Sequence, residues 1–217
     1  MIKIEHLTKS FDGNVVIKDL NIDIAENQIT CIFSPSGAGK TTLLRIMAGL
    51  EKQDNGTING EGIISFVFQE DRLLPWLTAK QNIELVSNED KATKLLEQVK
   101  LSQQADKYPE ELSGGMCRRI ALARALAYNF DTLILDEPFK GLDEELKGNM
   151  FEMLLESRSS KTIVMTSHDV MDVSTLCDRV ICLSPYDFKI TKDIIFDIPQ
   201  QKRNQENIQK YIDQIRN

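Results

Sequence analysis

Nine consecutive residues, Ser34-Pro35-Ser36-Gly37-Ala38-Gly39-Lys40-Thr41-Thr42, combine small side chains with one cation and several hydroxyls. Small residues let consecutive backbone N–H groups curl around an anion at a helix N-terminus; a lysine adds a mobile positive charge, and a hydroxyl can ligate a hard cation. Chemistry that uses all three is the binding of a polyphosphate with its metal, Lys40 reaching the β- and γ-phosphates and Thr41 offering its hydroxyl to Mg²⁺. The run follows GxxxxGK[ST], with Ser34 at the first glycine position.

Further along, the apolar stretch Leu133-Ile134-Leu135 ends in Asp136-Glu137. A buried strand that presents two acids at its carboxyl edge puts them where open α/β sheets hold ligands. Phosphoryl transfer needs neutralised oxygens and a positioned nucleophile, so Asp136 is expected in the Mg²⁺ shell and Glu137 beside the attacking water. Between these two segments lies Leu112-Ser113-Gly114-Gly115-Met116, ahead of a helical run from Arg118 to Ala127. Ser113 and the two glycines make a second helix N-terminus with a hydroxyl and open N–H groups. One chain thus carries two anion sites.

These residues require a scaffold. Ile2 and Ile4, then Ile22 and Ile24, alternate with polar residues around the turn cluster Asp12-Gly13-Asn14, which predicts short antiparallel strands. Gln28 to Phe33 reads as a strand entering the loop, and Thr41 to Leu50 as the helix leaving it. Ile63 to Phe68, Thr132 to Leu135, Thr162 to Thr166 and Val180 to Leu183 are apolar and mostly β-branched, as in a parallel sheet covered on both faces. Asn82 to Leu101 and Gly115 to Tyr128 are helix-like. The expected organisation is one domain, 1–217: an α/β core over about 1–69 and 125–196, a helical subdomain over about 70–124, and a C-terminal helix over about 199–217. In that last helix Ile208, Tyr211, Ile212 and Ile215 share one face, and weak packing on the core is expected.

Composition bounds the partners. With 217 residues and 41% hydrophobic content, one sizeable core is the prior. A net charge of -7 argues against a broad nucleic-acid footprint. The four cysteines, Cys31, Cys117, Cys177 and Cys182, form no CxxC pair and read as reduced thiols. The first residues lack the apolar core of a signal peptide, and no run reaches the ~18 apolar residues of a membrane span, so a membrane role is expected to come through a partner.

In this order and spacing, the segments resemble the nucleotide-binding subunits of ATP-binding cassette (ABC) transporters, from Met1 to the Ile194 region. Leu112 to Met116 is similar to the signature LSGGQ, departing at Met116, and Cys117 stands where similar sequences often carry a polar or charged residue. The resemblance implies a P-loop NTPase (RecA-like) core with an antiparallel β subdomain and an inserted helical subdomain. It implies ATP and Mg²⁺ as ligands, with Gln69 as the glutamine that contacts the metal or its water, His168 as the switch histidine at the γ-phosphate, and Phe11 stacked on adenine. It also implies a homodimer in which Ser113, Gly114 and Gly115 face the γ-phosphate held by the other subunit's Lys40, with Asp143 in the loop that crosses between the sites.

The segment from Phe66 to Asn82, with Asp136 to Asp143, resembles the importer ATPases of the nitrate, sulfonate, taurine and thiamine-precursor group. That implies a cytosolic-face subunit whose Leu73, Leu74 and Trp76 rim a groove for an integral membrane permease, which in turn works with an external solute-binding protein. Two alternatives share the motifs: a soluble cassette that remodels a protein partner, and a degenerate cassette that only binds.

Overall fold

The computed structural model describes residues 1–35, 37–185 and 188–216. Strands β1 (Ile2–Phe11) and β2 (Asn14–Ile24) form an antiparallel pair longer than their alternation suggests. The buried positions of β1 run Ile2, Ile4, Leu7, Lys9, and those of β2 run Ile17, Leu20, Ile22, Ile24, so each strand changes parity once. His6 and Asp19 sit at these changes with φ of 53° and 52°. An extra residue at a bulge flips every side chain beyond it, which is why a strict period of two loses both strands halfway.

Strand β3 (Ile29–Phe33) leads into helix α1 (Lys40–Met47), and β4 (Asn55–Asn59), a strand beyond those expected from sequence, joins β1 to complete a three-stranded sheet. Next come β5 (Ile64–Val67), α2 (Ala79–Glu84), α3 (Glu89–Gln98), α4 (Gly114–Ala127) and β6 (Thr132–Asp136). The single helical stretch expected over Asn82 to Leu101 is two helices. Asn88 breaks it by turning its side chain to cap α3, accepting from the Lys91 amide at 2.9 Å.

The chain ends with α5 (Glu144–Ser157), β7 (Thr162–Ser167), α6 (Val170–Leu176), β8 (Arg179–Leu183), β9 (Ile190–Ile195) and α7 (Gln205–Arg216). The main sheet has the order β5-β6-β7-β3-β8-β9, parallel except for the antiparallel edge strand β9. Its central strands bury both faces. Ile32, Ile134, Val164 and Ile181 pack with α1 and the three-stranded sheet, while Cys31, Leu133, Leu135, Ile163 and Met165 pack against the helices on the other side. Double coverage explains the apolar runs that lack polar alternation.

The C-terminal helix is not weakly packed. Tyr211 is buried, stacks on Phe196 with ring centroids 4.2 Å apart, and donates its hydroxyl to Asp197 at 2.5 Å while accepting from the Ile198 amide at 3.0 Å. Lys192 of β9 donates to the carbonyls of Gln214 and Ile215, tying the last turn of α7 to the sheet edge. These partners are all outside the helix, so its own periodicity could not reveal them.

Candidate functional site

The phosphate-loop segment lies where β3 turns into α1. Gly37 and Gly39 have φ of 81° and 104°, and a Cβ on Gly39 would meet the Val16 side chain at 2.7 Å. Glycine at 39 therefore answers both a left-handed backbone and a close approach. Among the described residues no side chain caps the first turn of α1, which leaves its leading N–H groups to an anion. Ser34, at the position where the pattern has glycine, is buried with an ordinary negative φ and gives its carbonyl to Lys40 Nζ at 2.6 Å. Lys40 donates also to the Pro35 carbonyl at 3.0 Å. It is 5% exposed, and burial draws its ammonium below the usual lysine range, opposed by Glu137 and Asp136. Ala38 packs into the core beneath the loop. Ser36 lies outside the described residues.

Asp136 ends β6 beside Thr166 of β7, its register partner. Its two carboxylate oxygens accept from Thr41 Oγ1 and Thr166 Oγ1, both at 2.7 Å. Thr166 Oγ1 also accepts from the Glu137 amide at 3.0 Å. One buried hydroxyl, on a residue whose sequence context marks only a strand, thus orients both acids. Glu137 adopts φ 48°, a left-handed conformation that costs a non-glycine residue about 1 kcal/mol or more. That turn aims its carboxylate between His168 Nδ1, 3.5 Å from Oε1, and Lys140 Nζ, 3.5 Å from Oε2. Oε2 is buried and has no hydrogen-bond partner among the described residues. An acceptor in that state suits an incoming water.

Gly37, Gly39, Lys40, Thr41, Thr42, Gln69 and Glu137 line one cavity of about 400 Å³ together with Val16 and Lys140. Thr41, Gln69 and Asp136 line a second cavity next to it. Residues drawn from four separate stretches of the chain therefore converge on one place. Phe11 is 41% exposed at the end of β1, under Lys9 Nζ at 4.7 Å, and does not line the phosphate cavity; Val16, which carried no motif, does.

The second anion segment is elsewhere on the surface. Ser113 caps α4 by accepting from the Met116 amide at 3.3 Å, and Ser113 and Gly114 are exposed. Neither they nor Gly115 line the cavity around Lys40. Cys117 is half-buried behind them, with Sγ 3.6 Å from the Pro109 carbonyl and its thiol pushed up by burial, in keeping with a packed residue. Asp143 is exposed and caps α5, accepting from the Leu146 amide at 2.9 Å.

An ion cluster joins α5 to the segment after His168. Lys147 donates to Asp172 at 2.9 Å and Asp169 at 3.2 Å, with Glu144 at 3.5 Å, and Asp169 caps α6. Burial pushes the Asp172 carboxyl up to about 6 despite Lys147. Burial would lower Lys147, but its hydrogen bonds and charge contacts with Asp172 and Asp169 outweigh that and raise it. Lys147→Met, which leaves Asp172 buried without its partner, is expected to cost about 3 kcal/mol of stability at pH 7. Without Lys147 to oppose burial, the Asp172 carboxyl lies higher still in the variant, so the deficit narrows as pH falls toward about 6, where the folded variant binds a proton that the folded parent does not, and stays level below that. Denaturant melts at pH 7 and pH 5 measure both effects.

The stretch from Leu73 to Leu77 is held from beneath by Asn82, a fully buried residue. Asn82 Oδ1 accepts from the Leu74 amide at 2.8 Å, and Nδ2 donates to the carbonyls of Leu74, Leu77 and Thr78. Leu73 packs toward the core, Leu74 is half-buried, and Trp76 projects outward, 68% exposed. A core tryptophan is therefore not what the fold uses here. An apolar groove of about 320 Å³ is lined by Leu50, Phe66, Phe68, Val86 and Tyr128, among others. Arg118 of α4 ties this region to the signature segment, donating to the carbonyls of Phe68 (2.8 Å) and Gln69 and pairing with Asp71 at 3.0 Å.

A three-stranded and a six-stranded sheet, a glycine-rich loop, a strand-end acid pair and a separate Ser-capped Gly-Gly turn together define a nucleotide-hydrolysing cassette. Residues 17–140 match the ABC transporter family model. An aliphatic sulfonates import ATP-binding protein of Pseudomonas savastanoi pv. phaseolicola is 40% identical, over 86% of this chain and 81% of that protein. A sulfate/thiosulfate import ATP-binding protein of Escherichia coli is 38% identical, over 84% of this chain and 57% of that protein. A dimeric ATP-binding cassette solved in a post-hydrolysis state with ADP and Pi superposes with a TM-score of 0.83 at 28% identity, over 90% of this chain and 98% of that one. The chain belongs to the ABC transporter family, as an ATP-binding and ATP-hydrolysing cassette. Among the described residues no helix is long and apolar enough to cross a membrane.

Proposed function

We propose that this cassette is the ATPase subunit of an importer: two copies pair through two shared ATP sites on the cytosolic face of a permease, and hydrolysis drives uptake of a small solute delivered by an external binding protein. The observation that carries the reading is the separation of two anion sites. Lys40 and Ser113 both suit a phosphate, yet they do not share a cavity within one chain. A second copy resolves this by bringing its Ser113, Gly114 and Gly115 to the γ-phosphate held by Lys40. The whole chain, 1–217, acts as one unit in this reading, with residues 70–124 as its helical part.

Within each site the loop from Ser34 to Gly39, with Lys40 and Thr42, holds the phosphates, and Phe11 reaches the adenine. The donor set also fits a hard cation: the Thr41 hydroxyl lies 2.7 Å from Asp136, and Gln69 lines the same cavity. Mg²⁺ held there neutralises phosphate oxygens. Glu137 orients the attacking water and draws on its proton, while His168 holds the γ-phosphate on the other side of that water. Asp143, at the head of α5, reaches across the dimer.

The relatives imply the permease. They bear names for two different solutes at similar identity, aliphatic sulfonates and sulfate or thiosulfate, so solute choice belongs to the partner proteins. A short permease helix suits the groove of Leu50, Phe66, Phe68 and Tyr128, and we read Leu73, Leu74 and Trp76 as its rim, since Arg124 lines the groove and donates to the carbonyls of Asp71 and Arg72 just before them. Phe66 and Phe68 lie directly before Gln69, so a helix seated there pushes on the segment that faces the metal.

Co-purification from membranes tests this reading. The cognate multi-span protein is expected to accompany the cassette, and Trp76→Ala to reduce its recovery about tenfold or more, as for an exposed aromatic anchor. Because Trp76 is exposed, the variant should keep a cooperative melt. Capture of a soluble partner with no membrane protein would favour the remodelling alternative instead.

A further inference from the structure

Lys140 belongs to no phosphate motif, yet it lies inside the site. It follows Glu137 by three residues, and its amide donates back to the Glu137 carbonyl at 3.4 Å, closing the turn after the acid pair. Its ammonium sits 3.5 Å from Glu137 Oε2, the buried oxygen without a hydrogen-bond partner among the described residues. That separation is at the limit of a hydrogen bond, and the Lys140 side chain is 55% exposed. A flexible, half-exposed lysine in a loose pair is free to exchange one anion for another. The same side chain lines the phosphate cavity with Lys40, Thr41 and Gln69 and a smaller one with His168, so it stands on the boundary between Glu137 and the space for the terminal phosphate.

The site needs such a charge. Glu137 and a γ-phosphate must approach the same water from two sides, and each anion disfavours the other at short range. Lys40 is buried and tied to the Ser34 and Pro35 carbonyls, so it serves the loop side. We propose that Lys140 is a second nucleotide-binding lysine of this cassette: it pairs with Glu137 in the absence of nucleotide and turns to the γ-phosphate of bound ATP, giving the site part of its preference for ATP over ADP. ADP offers no γ-phosphate, so with ADP the lysine stays with Glu137. The inference rests on Lys40 and Glu137 forming the ATP site.

Calorimetric titration of the full chain with MgADP and, as the ATP arm, with a non-hydrolysable ATP analogue and Mg²⁺, Glu137 left in place and Ser113→Arg added throughout so that no dimer forms, tests it. Lys140→Met is expected to weaken MgATP about tenfold, the size of one charge-assisted contact, and to leave MgADP affinity at the parent value. Lys140→Arg keeps the charge and should recover most of the ATP affinity. Equal losses for both nucleotides, or no loss for either, would overturn the proposal. Lys40→Ala in the same background separates the two levels: if it binds both nucleotides as tightly as the parent, the site assignment itself falls and Lys140 falls with it. If Lys40→Ala loses ATP while Lys140→Met changes nothing, only the role of Lys140 is lost.

Discussion

Glu137→Gln is expected to lower ATP turnover by about three orders of magnitude and to trap an ATP-bridged dimer. The amide keeps the size of the carboxylate but cannot accept the proton of the attacking water. Hydrolysis is the step that removes the shared γ-phosphate, so blocking it leaves the two copies joined. Phosphate release measures the first effect, and size exclusion with light scattering, with and without MgATP, measures the second. Adding Ser113→Arg, which places a bulky side chain at the exposed cap of α4, is expected to abolish the dimer. A Glu137→Gln variant that binds ATP tightly and remains monomeric, even with its permease present, would overturn the composite site.

The second large effect is at Lys40. In the proposed site Lys40→Ala removes charge-assisted contacts to two phosphates, each worth about 1.5–3 kcal/mol, so MgATP affinity is expected to fall by about a hundredfold or more. The same change unpairs the Ser34 and Pro35 carbonyls from their donor, so some loop stability is lost as well. A cooperative melt on the variant separates the two effects: a folded protein with parent-like turnover would remove Lys40 from the site.

The phosphate loop, the acid pair and the Ser-Gly-Gly turn were legible because their chemistry is written in contiguous backbone. Gly37 and Gly39 are required by local φ, Ser113 caps the helix it precedes, and Asp136-Glu137 ends a strand apolar on both faces. The α/β class followed from the same runs. Elements without such a signature were not legible. Helices α5 and α6, the edge strand β9 and the short β4 have their apolar faces set by neighbours far along the chain, and β1 and β2 lose their period at His6 and Asp19.

What the sequence determined by itself, then, is local: which residue types can cradle a phosphate, cap a helix or end a strand, since these depend on φ, on side-chain size and on neighbours within a few positions. Tertiary structure alone decided which of them meet. Thr166 reaches Asp136 and the Glu137 amide only because β6 and β7 pair in that register. Val16 enters the phosphate cavity where Phe11 does not, because the three-stranded sheet packs against Gly39 at that point. Trp76 faces outward because buried Asn82 holds the carbonyls of Leu74, Leu77 and Thr78 from below, and Tyr211 anchors a tail whose own sequence looked loosely held. Each of these is a contact between segments distant in sequence, and it exists only once burial of the apolar faces has brought those segments together.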